Sequence, residues 1–483
     1  MNRQTLVTIP VPAIAAIRGI KGMRTTTQCN AFVFLNDILK KSFNVNGLLC
    51  TPIGVKATSI QKKYFGNSDS YRATLEALVN AGVLEINNHY KKGEQVKTYC
   101  LNSAMLSERF DTFLIAHKNA APKWYRIDCK QTALRLGKLV FNVKKAKEIT
   151  LAYVASDSVW KNHKVKFNDE IEANFLPVVQ VWNERKRMFR EVRKVKRDFL
   201  MQHFHNAKFE LIQNNDSFYY VPLDEFKTMK RLSTLWHYSY TIASWSEKRF
   251  FAFRDNTSKR KHTNLTNTPK PLLCCITYKG EQLKEIDLAC SQYALFARCL
   301  DFNAEPLHAA ITKDVVSCYN RITRFAASSY LHRDKTKWHY STHEFIEAAA
   351  NGTLYEVIQH SLGLSSRNAA KVAAMNAFFS RTTSQEKDNK GKALIRSLFP
   401  EIVGLMDAFK AEFGCEQLPI EMQRIESHLF VDTIAPALEM AGVFFETKHD
   451  SILIASGDYE KGTEIVKRIM NRELGQWNYK LKG

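Results

Sequence analysis

CxxC cysteine pairs, long apolar runs and repeats are all missing from this chain of 483 residues. Its ten cysteines include no CxxC pair, which excludes the closely spaced ligands of a zinc finger. They are also too sparse for a secreted disulfide scaffold, so reduced thiols in a cytoplasmic protein are expected. No apolar run reaches the roughly 18 residues that a spanning helix needs. The opening MNRQTLVTIPVPAIAAIRGIKGMR is broken by Pro10, Pro12 and Arg18, so no signal peptide is expected. No fixed-period repeat or low-complexity tract is present. Carboxylates are the scarce charge: 48 Asp and Glu stand against 70 Lys and Arg, a net charge of +22. That surplus points to a polyanionic partner, and without a spanning segment nucleic acid is favoured over a membrane.

The first hundred residues read as a compact unit. NAFVFLNDILKKSF has apolar residues at helical spacing, SIQKKYFG and SDSYRATLEALVNAG follow, and VLEINNHYKKGEQVKTYCLN alternates around a basic turn. Three helices and a hairpin is the order of a winged helix, whose wing here carries Lys91, Lys92 and Lys97. A helical protein–protein module is the alternative. From about 165 to 215 the chain is expected to be long, helical and basic, with charges dense from Arg185 to Arg197. That stretch is either a solvated face or a grip on a duplex backbone.

The chemistry lies in the second half. EQLKEIDLA reads as a strand ending at Asp287, followed by the helix CSQYALFARCL. AGVFFETKHDSILIAS reads as two β runs joined by a tight turn with His449 and Asp450 at its tip. Two strand-end carboxylates brought together can hold two divalent cations for phosphoryl transfer. Between them, LSSRNAAKVAAMNAFFS is a strong helix candidate with Ser365 and Ser366 as caps. Arg367, Lys371, Met375 and Phe379 recur every fourth residue, giving one stripe with its cations near the helix start. A triphosphate fits there, with an apolar platform beyond. The plain alternative is an amphipathic helix whose cations face water.

These segments resemble motifs A, B and C of the family A polymerases, the DNA polymerase I-like and phage-type single-subunit RNA polymerases. EIDLACSQYALFA is similar to motif A, the Arg367 helix to motif B and KHDSILIA to motif C, in the family's order. The resemblance covers about 230 to 483. It implies that Asp287 and Asp450 are catalytic and hold two Mg2+ ions with the carbonyl of Leu288; Mn2+ can substitute. It implies that Lys371 contacts the triphosphate and protonates the leaving pyrophosphate, and that Arg367 binds phosphate. Met375 then contacts the base, Phe379 stands where most relatives have a tyrosine beside the sugar, and Gln292 takes the place of a glutamate that excludes the 2′-hydroxyl. Arg260 and His262, in SKRKHTNLTNTP, are implied to meet nucleic acid near the primer end, as is His449. Gln423, in EMQRIES, takes the place of a template-contacting glutamine. The pattern HTN-LTN, EID, SQ is also similar to shorter phage and mobile-element proteins with a winged-helix front end.

The implied fold class is α+β: a right-hand polymerase with palm sheet, helical fingers and thumb, preceded by a small winged-helix-like domain. Expected boundaries are 1–104 for the winged helix, 105–230 for a connector and basic helical thumb, and 231–302 for the palm with motif A. Residues 303–415 are the fingers and 416–483 the palm with motif C. The implied function is DNA-templated DNA synthesis from a primer, with nucleoside triphosphates, for a phage or mobile element. Primer synthesis is a candidate second activity, and replication accessory proteins are candidate partners. An RNA polymerase or primase is the alternative within the class; a non-catalytic replication-initiator DNA-binding protein is the alternative outside it. Three departures stand out. Lys259 replaces the family's glycine before the arginine, and Ser451 replaces the glutamate that usually ends motif C in DNA polymerase I relatives. Ser451 and Met375 match the RNA polymerase branch, whereas Phe379 lacks the phenol that helps that branch prefer ribonucleotides. The first half carries no carboxylate set for a 3′–5′ exonuclease, so proofreading is not expected.

Overall fold

The computed structural model describes residues 4–46, 49–50, 53–55, 57–60, 64–65, 68–87, 97–116, 127–155, 175–183, 188–196, 214–215, 218–300, 318, 321–327, 338–381, 388–474 and 479–482. The chain is a mixed α and β protein. In chain order it begins β1 (Gln4–Pro10), α1 (Val11–Arg18), α2 (Thr25–Asn46), β2 (Ile53–Gly54), α3 (Ala57–Ile60), α4 (Ser68–Asn80), β3 (Leu84–Asn87), β4 (Thr98–Leu101) and β5 (Phe110–Ala116). There follow α5 (Lys130–Gly137), β6 (Leu139–Phe141), α6 (Val143–Ala155), β7 (Phe175–Asn183), β8 (Met188–Lys196), β9 (Asn214–Asn215), β10 (Phe218–Pro222) and α7 (Leu223–Ser246). The remainder is β11 (Ala252–Arg254), β12 (Lys261–Thr263), β13 (Ile276–Tyr278), β14 (Glu281–Leu288), α8 (Ser291–Cys299), α9 (Tyr340–Ala350), α10 (Leu354–Ser361), α11 (Arg367–Phe379), α12 (Lys390–Leu398), α13 (Pro400–Phe413) and α14 (Gln417–Ser427). A π-helical segment (His428–Ile434) leads to α15 (Ala435–Met440), β15 (Phe445–Lys448), β16 (Ser451–Ala455), α16 (Tyr459–Leu474) and β17 (Leu481–Lys482). Among the described residues no helix is long and apolar enough to cross a membrane.

The chain forms two compact units. The first comprises Met1–Tyr125, Asn142–Arg249 and Pro269–Leu272. Here β1 pairs antiparallel with β5 over seven residues, and β2, β4 and β3 form a three-stranded sheet. β1 is held from two sides: Thr8 N donates to Asn36 Oδ1 of α2 at 3.0 Å, and the Trp236 indole of α7 donates to Thr8 O at 2.8 Å. Of the elements read from the sequence, the first and third helices fall in α2 and α4 and the hairpin in β3–β4, with β2 added; α3 shares only Ser59 and Ile60 with SIQKKYFG. Lys91 and Lys92 lie outside the described residues; Lys97 lies just before β4.

Two expectations are corrected. Contrary to the helical thumb expected over about 165–215, the described part of that stretch is antiparallel sheet, β7 paired with β8 and β8 with β10. The β-branched content of LPVVQVWN and REVRKV favours strands, and the register sets Val179 opposite Val192. The dense charge of the segment masked that preference. The boundary at 230 does not hold either: α7 belongs to the first unit, and the second consists of Arg126–Phe141, Phe250–Thr268 and Leu273–Gly483.

The second unit is built on a sheet of order β15-β16-β14-β13-β6, with β17 beside the end of β14. Its core runs from Ile286 and Leu288 of β14 through Phe296 of α8, Phe378 of α11 and Met422 of α14 to Ile452 and Ile454 of β16. Apolar residues therefore cover the sheet beneath the strand ends that carry the acids. Gly352, at φ +67°, closes this packing after α9: a Cβ there would stand 2.5 Å from the Ala289 Cβ. No other residue lets the chain pass so close to the end of β14.

Candidate active site

The two acids meet at one end of the sheet. In the β14–β16 register Asp287 pairs with Ser451, so Asp450 sits one residue before its strand and beside Asp287. Leu288 N donates to Asp450 O at 3.4 Å. His449 and Asp450 form the two-residue turn between β15 and β16, with His449 at φ 54°. Burial pushes the Asp287 carboxyl up to about 6, and the charges of Asp450 and Glu285 add to it. Asp450 is also raised, chiefly by burial, while Arg260 and Lys371 pull it back down. Lys482, paired with Asp287 across β17, and Lys371 oppose the shift of Asp287 in the same way. Glu285, two residues before Asp287 on the same strand, accepts from Ser451 Oγ at 2.6 Å and lies 3.7 Å from Lys448 Nζ.

Such a pair is uncomfortable without a cation. Two partly buried carboxylates repelling each other offer hard oxygen ligands, which suit Mg2+ completed by water and phosphate oxygens. Asp287 and Asp450, with the carbonyl of Leu288, fit that ion.

The cationic wall is α11. Ser366 caps it, accepting from Ala369 N at 3.2 Å, and its alanine face (Ala370, Ala373, Ala374, Ala377) is buried with Phe378. The opposite stripe stays open: Lys371 is exposed, and Met375 and Phe379 keep 41% and 38% of their surface. Lys371 acts electrostatically on both aspartates. Arg367 is not free. Its Nε donates to Glu356 Oε1 at 2.5 Å and its guanidinium lies 4.9 Å over the Tyr355 ring. At the other end Lys410 donates to Ala377 O and Ser380 O, both at 3.0 Å, satisfying the helix's last carbonyls.

A second cluster gathers behind Asp450. Arg260 follows the β11–β12 turn, where Asp255 accepts from the backbone N–H groups of Thr257, Ser258 and Arg260. The Arg260 Nε donates to Glu426 Oε2 at 3.1 Å and its Nη2 donates to the same oxygen. Ser291 Oγ donates to Glu426 Oε1 at 2.8 Å. His262 bonds Asp255 at 3.3 Å, stacks on Phe253 and lies 6.1 Å from the His449 ring. Burial first, then Arg260, His262 and Lys448, lower His449 to about 4, so its ring is neutral at physiological pH. Its buried Nδ1 has no hydrogen-bond partner among the described residues.

Lys259 stands at φ 60°, the left-handed region in which a glycine is unstrained. A glycine there would carry no such strain. Lys259→Gly is therefore expected to leave stability unchanged or raise it by up to about 1 kcal/mol, read as the urea midpoint. A fall of more than that amount contradicts the assignment.

The structure brings Asp287, Leu288, Asp450, Lys371, Arg260, His262 and His449 into one electrostatic neighbourhood. Gln292 sits in the first turn of α8, half-buried, and its Oε1 has no hydrogen-bond partner among the described residues. Gln423 is half-buried on α14, one turn before Glu426. Sequence reasoning missed Glu426, Ser291, Glu285 and Glu356. Glu285 had a usable signal, two residues from Asp287 on the same strand face. Glu426 had only its spacing of three from Gln423. No protein-family model, curated protein or solved structure matches this chain.

Proposed function

We propose that the chain is a template-directed nucleotidyltransferase of the family A polymerase type, making DNA from a primer on a DNA template. The observation that carries this reading is the meeting of Asp287 and Asp450 with Lys371 on an otherwise open helix stripe. On this reading the sheet bearing the acids is the palm and α11 belongs to the fingers. Asp287, Asp450 and the Leu288 carbonyl would hold Mg2+, which would lower the pKa of a primer 3′-hydroxyl and neutralise charge on the phosphates.

Lys371 and Arg367 bind the triphosphate and take up charge as pyrophosphate leaves. Arg367 exchanges Glu356 for phosphate at little cost, since the pair is half exposed and such pairs are weak. On this reading Lys371 protonates the leaving group. Met375 and Phe379 support base and sugar. Arg260, His262 and Gln423 hold the duplex near the primer end, and a neutral His449 borders that end without adding charge. The order α2–β2–α3–α4–β3–β4 is that of a winged helix and supports a further nucleic-acid contact in the first unit. The net charge of +22 suits such a partner, with affinity falling steeply as salt rises. Replication accessory proteins and a cytoplasmic setting belong to the same proposal.

Incubation with deoxy- or ribonucleotides, with and without primer, on single-stranded DNA and RNA tests the reading. Extension of a DNA primer by deoxynucleotides is the expected result; no incorporation on any template favours the DNA-binding initiator instead. The RNA polymerase or primase alternative turns on Gln292. Gln292→Glu is expected to lower ribonucleotide relative to deoxyribonucleotide incorporation by roughly tenfold or more. An unchanged ratio removes Gln292 from sugar choice.

A further inference from the structure

Glu426 is a carboxylate with 1% of its side chain exposed, far from solvent yet fully committed. Both of its oxygens accept: one takes two donors from Arg260, the other takes Ser291 Oγ. Burying such a charge is costly, and an apolar replacement of a buried pair is often equally stable. Stability alone is therefore a poor reason for the group to be there.

Its geometry offers a better one. A guanidinium carries five N–H donors in a rigid fork. Glu426 occupies the Nε and Nη2 side of Arg260, and no described residue accepts from Nη1. The Arg260 side chain keeps 21% of its surface, so the pairing with Glu426 does not enclose it. Arg260 also acts on both Asp450 and His449. The free edge thus lies in the neighbourhood of the acids. Ser291 is the first residue of α8 and neighbours Gln292, so the same carboxylate ties the Arg260 hairpin to the helix start beside Asp287.

We propose that Glu426 is a positioning residue that fixes the guanidinium plane of Arg260, so that its free edge grips the primer end of a primer–template duplex. This rests on the polymerase reading above and names a residue that the reading does not use.

The test is a double-mutant cycle on primer–template affinity, measured in EDTA without nucleotide on the full chain. Arg260→Met and Glu426→Gln are each expected to weaken binding about tenfold, the loss of one charge-assisted contact. If Glu426 acts through Arg260, the double variant binds no worse than Arg260→Met alone. Losses that multiply to about a hundredfold, or wild-type affinity in Glu426→Gln, overturn the proposal. Steady-state incorporation adds a second readout: KM for primer–template is expected to rise more than kcat falls, and the reverse also overturns it.

Ser291→Ala covers the case in which Glu426→Gln does not fold. It removes one donor while keeping the charge and is expected to weaken binding about threefold. Wild-type affinity in that variant then counts against the proposal. A wild-type protein that binds primer–template but incorporates nothing contradicts the polymerase reading alone; the binding cycle still decides whether Glu426 acts through Arg260. A wild-type protein that does not bind primer–template overturns both.

Discussion

Asp450→Asn is expected to abolish nucleotide incorporation and, in the same protein, to raise the melting temperature in EDTA. The first effect follows from removing one of the two carboxylates on which the proposed chemistry depends; a loss of at least about a thousandfold is expected. The second follows from electrostatics. Asp287 titrates at about 6 in the fold, above the ordinary carboxylate range, so folding disfavours its ionised form. Between those two values the native state binds more protons than the unfolded state, so stability rises as pH falls through that window. Removing the charge of Asp450 relieves part of this burden. The gain over wild type is therefore largest above about pH 6 and shrinks as pH falls toward about 4. Incorporation within tenfold of wild type, or a variant that melts lower at neutral pH, contradicts the account.

Lys392→Met is expected to cost about 3–5 kcal/mol, close to the whole stability of many domains. Lys392 is fully buried in α12, with its ammonium 3.1 Å from Asp388 and 2.7 Å from Asp407. Arg396 bridges the same two aspartates at 2.6 and 2.5 Å. Removing the ammonium leaves two buried carboxylates sharing one guanidinium. The methionine stem refills the volume, so the loss reports charge rather than a cavity. The consequence reaches the site, because α12 packs on α11, where Gly391 leaves room for Asn376: a Cβ would stand 2.5 Å from its Nδ2. Urea unfolding measures the effect. Lys371→Met, on the open side of α11, is the control and is expected to change stability by less than about 0.5 kcal/mol. Similar unfolding of the two variants contradicts the assignment.

Those parts of the site whose signal is local were legible in the sequence. The Ser366 cap and the four-residue recurrence gave α11, and the β-rich runs on either side of Lys448–Ser451 gave the hairpin that carries Asp450. Apolar residues before Asp287 gave β14, which ends one residue later than expected, at Leu288. What depends on distant partners was not legible. Among the described residues β6 joins the sheet by pairing Leu139–Phe141 with Ile276–Tyr278, and nothing near Phe141 announces that partner. Glu426 meets Arg260 and Ser291 from elsewhere in the chain, so within EMQRIES it looks like any helix glutamate. The β7–β8 hairpin failed for another reason: its lysines and arginines drew attention to charge, while the valines that set strand preference stood between them. The positive φ of Lys259 was not legible in the sequence, since a lysine does not announce it.

Binding of Mn2+, counted by the loss of its free-ion paramagnetic signal, tests whether Asp287 and Asp450 act as one cation site. Wild-type protein is expected to bind the ion, and Asp287→Asn and Asp450→Asn are each expected to weaken binding by about tenfold or more. Either single variant titrating like wild type would show that the two acids do not share an ion, and the proposed chemistry would lose its basis.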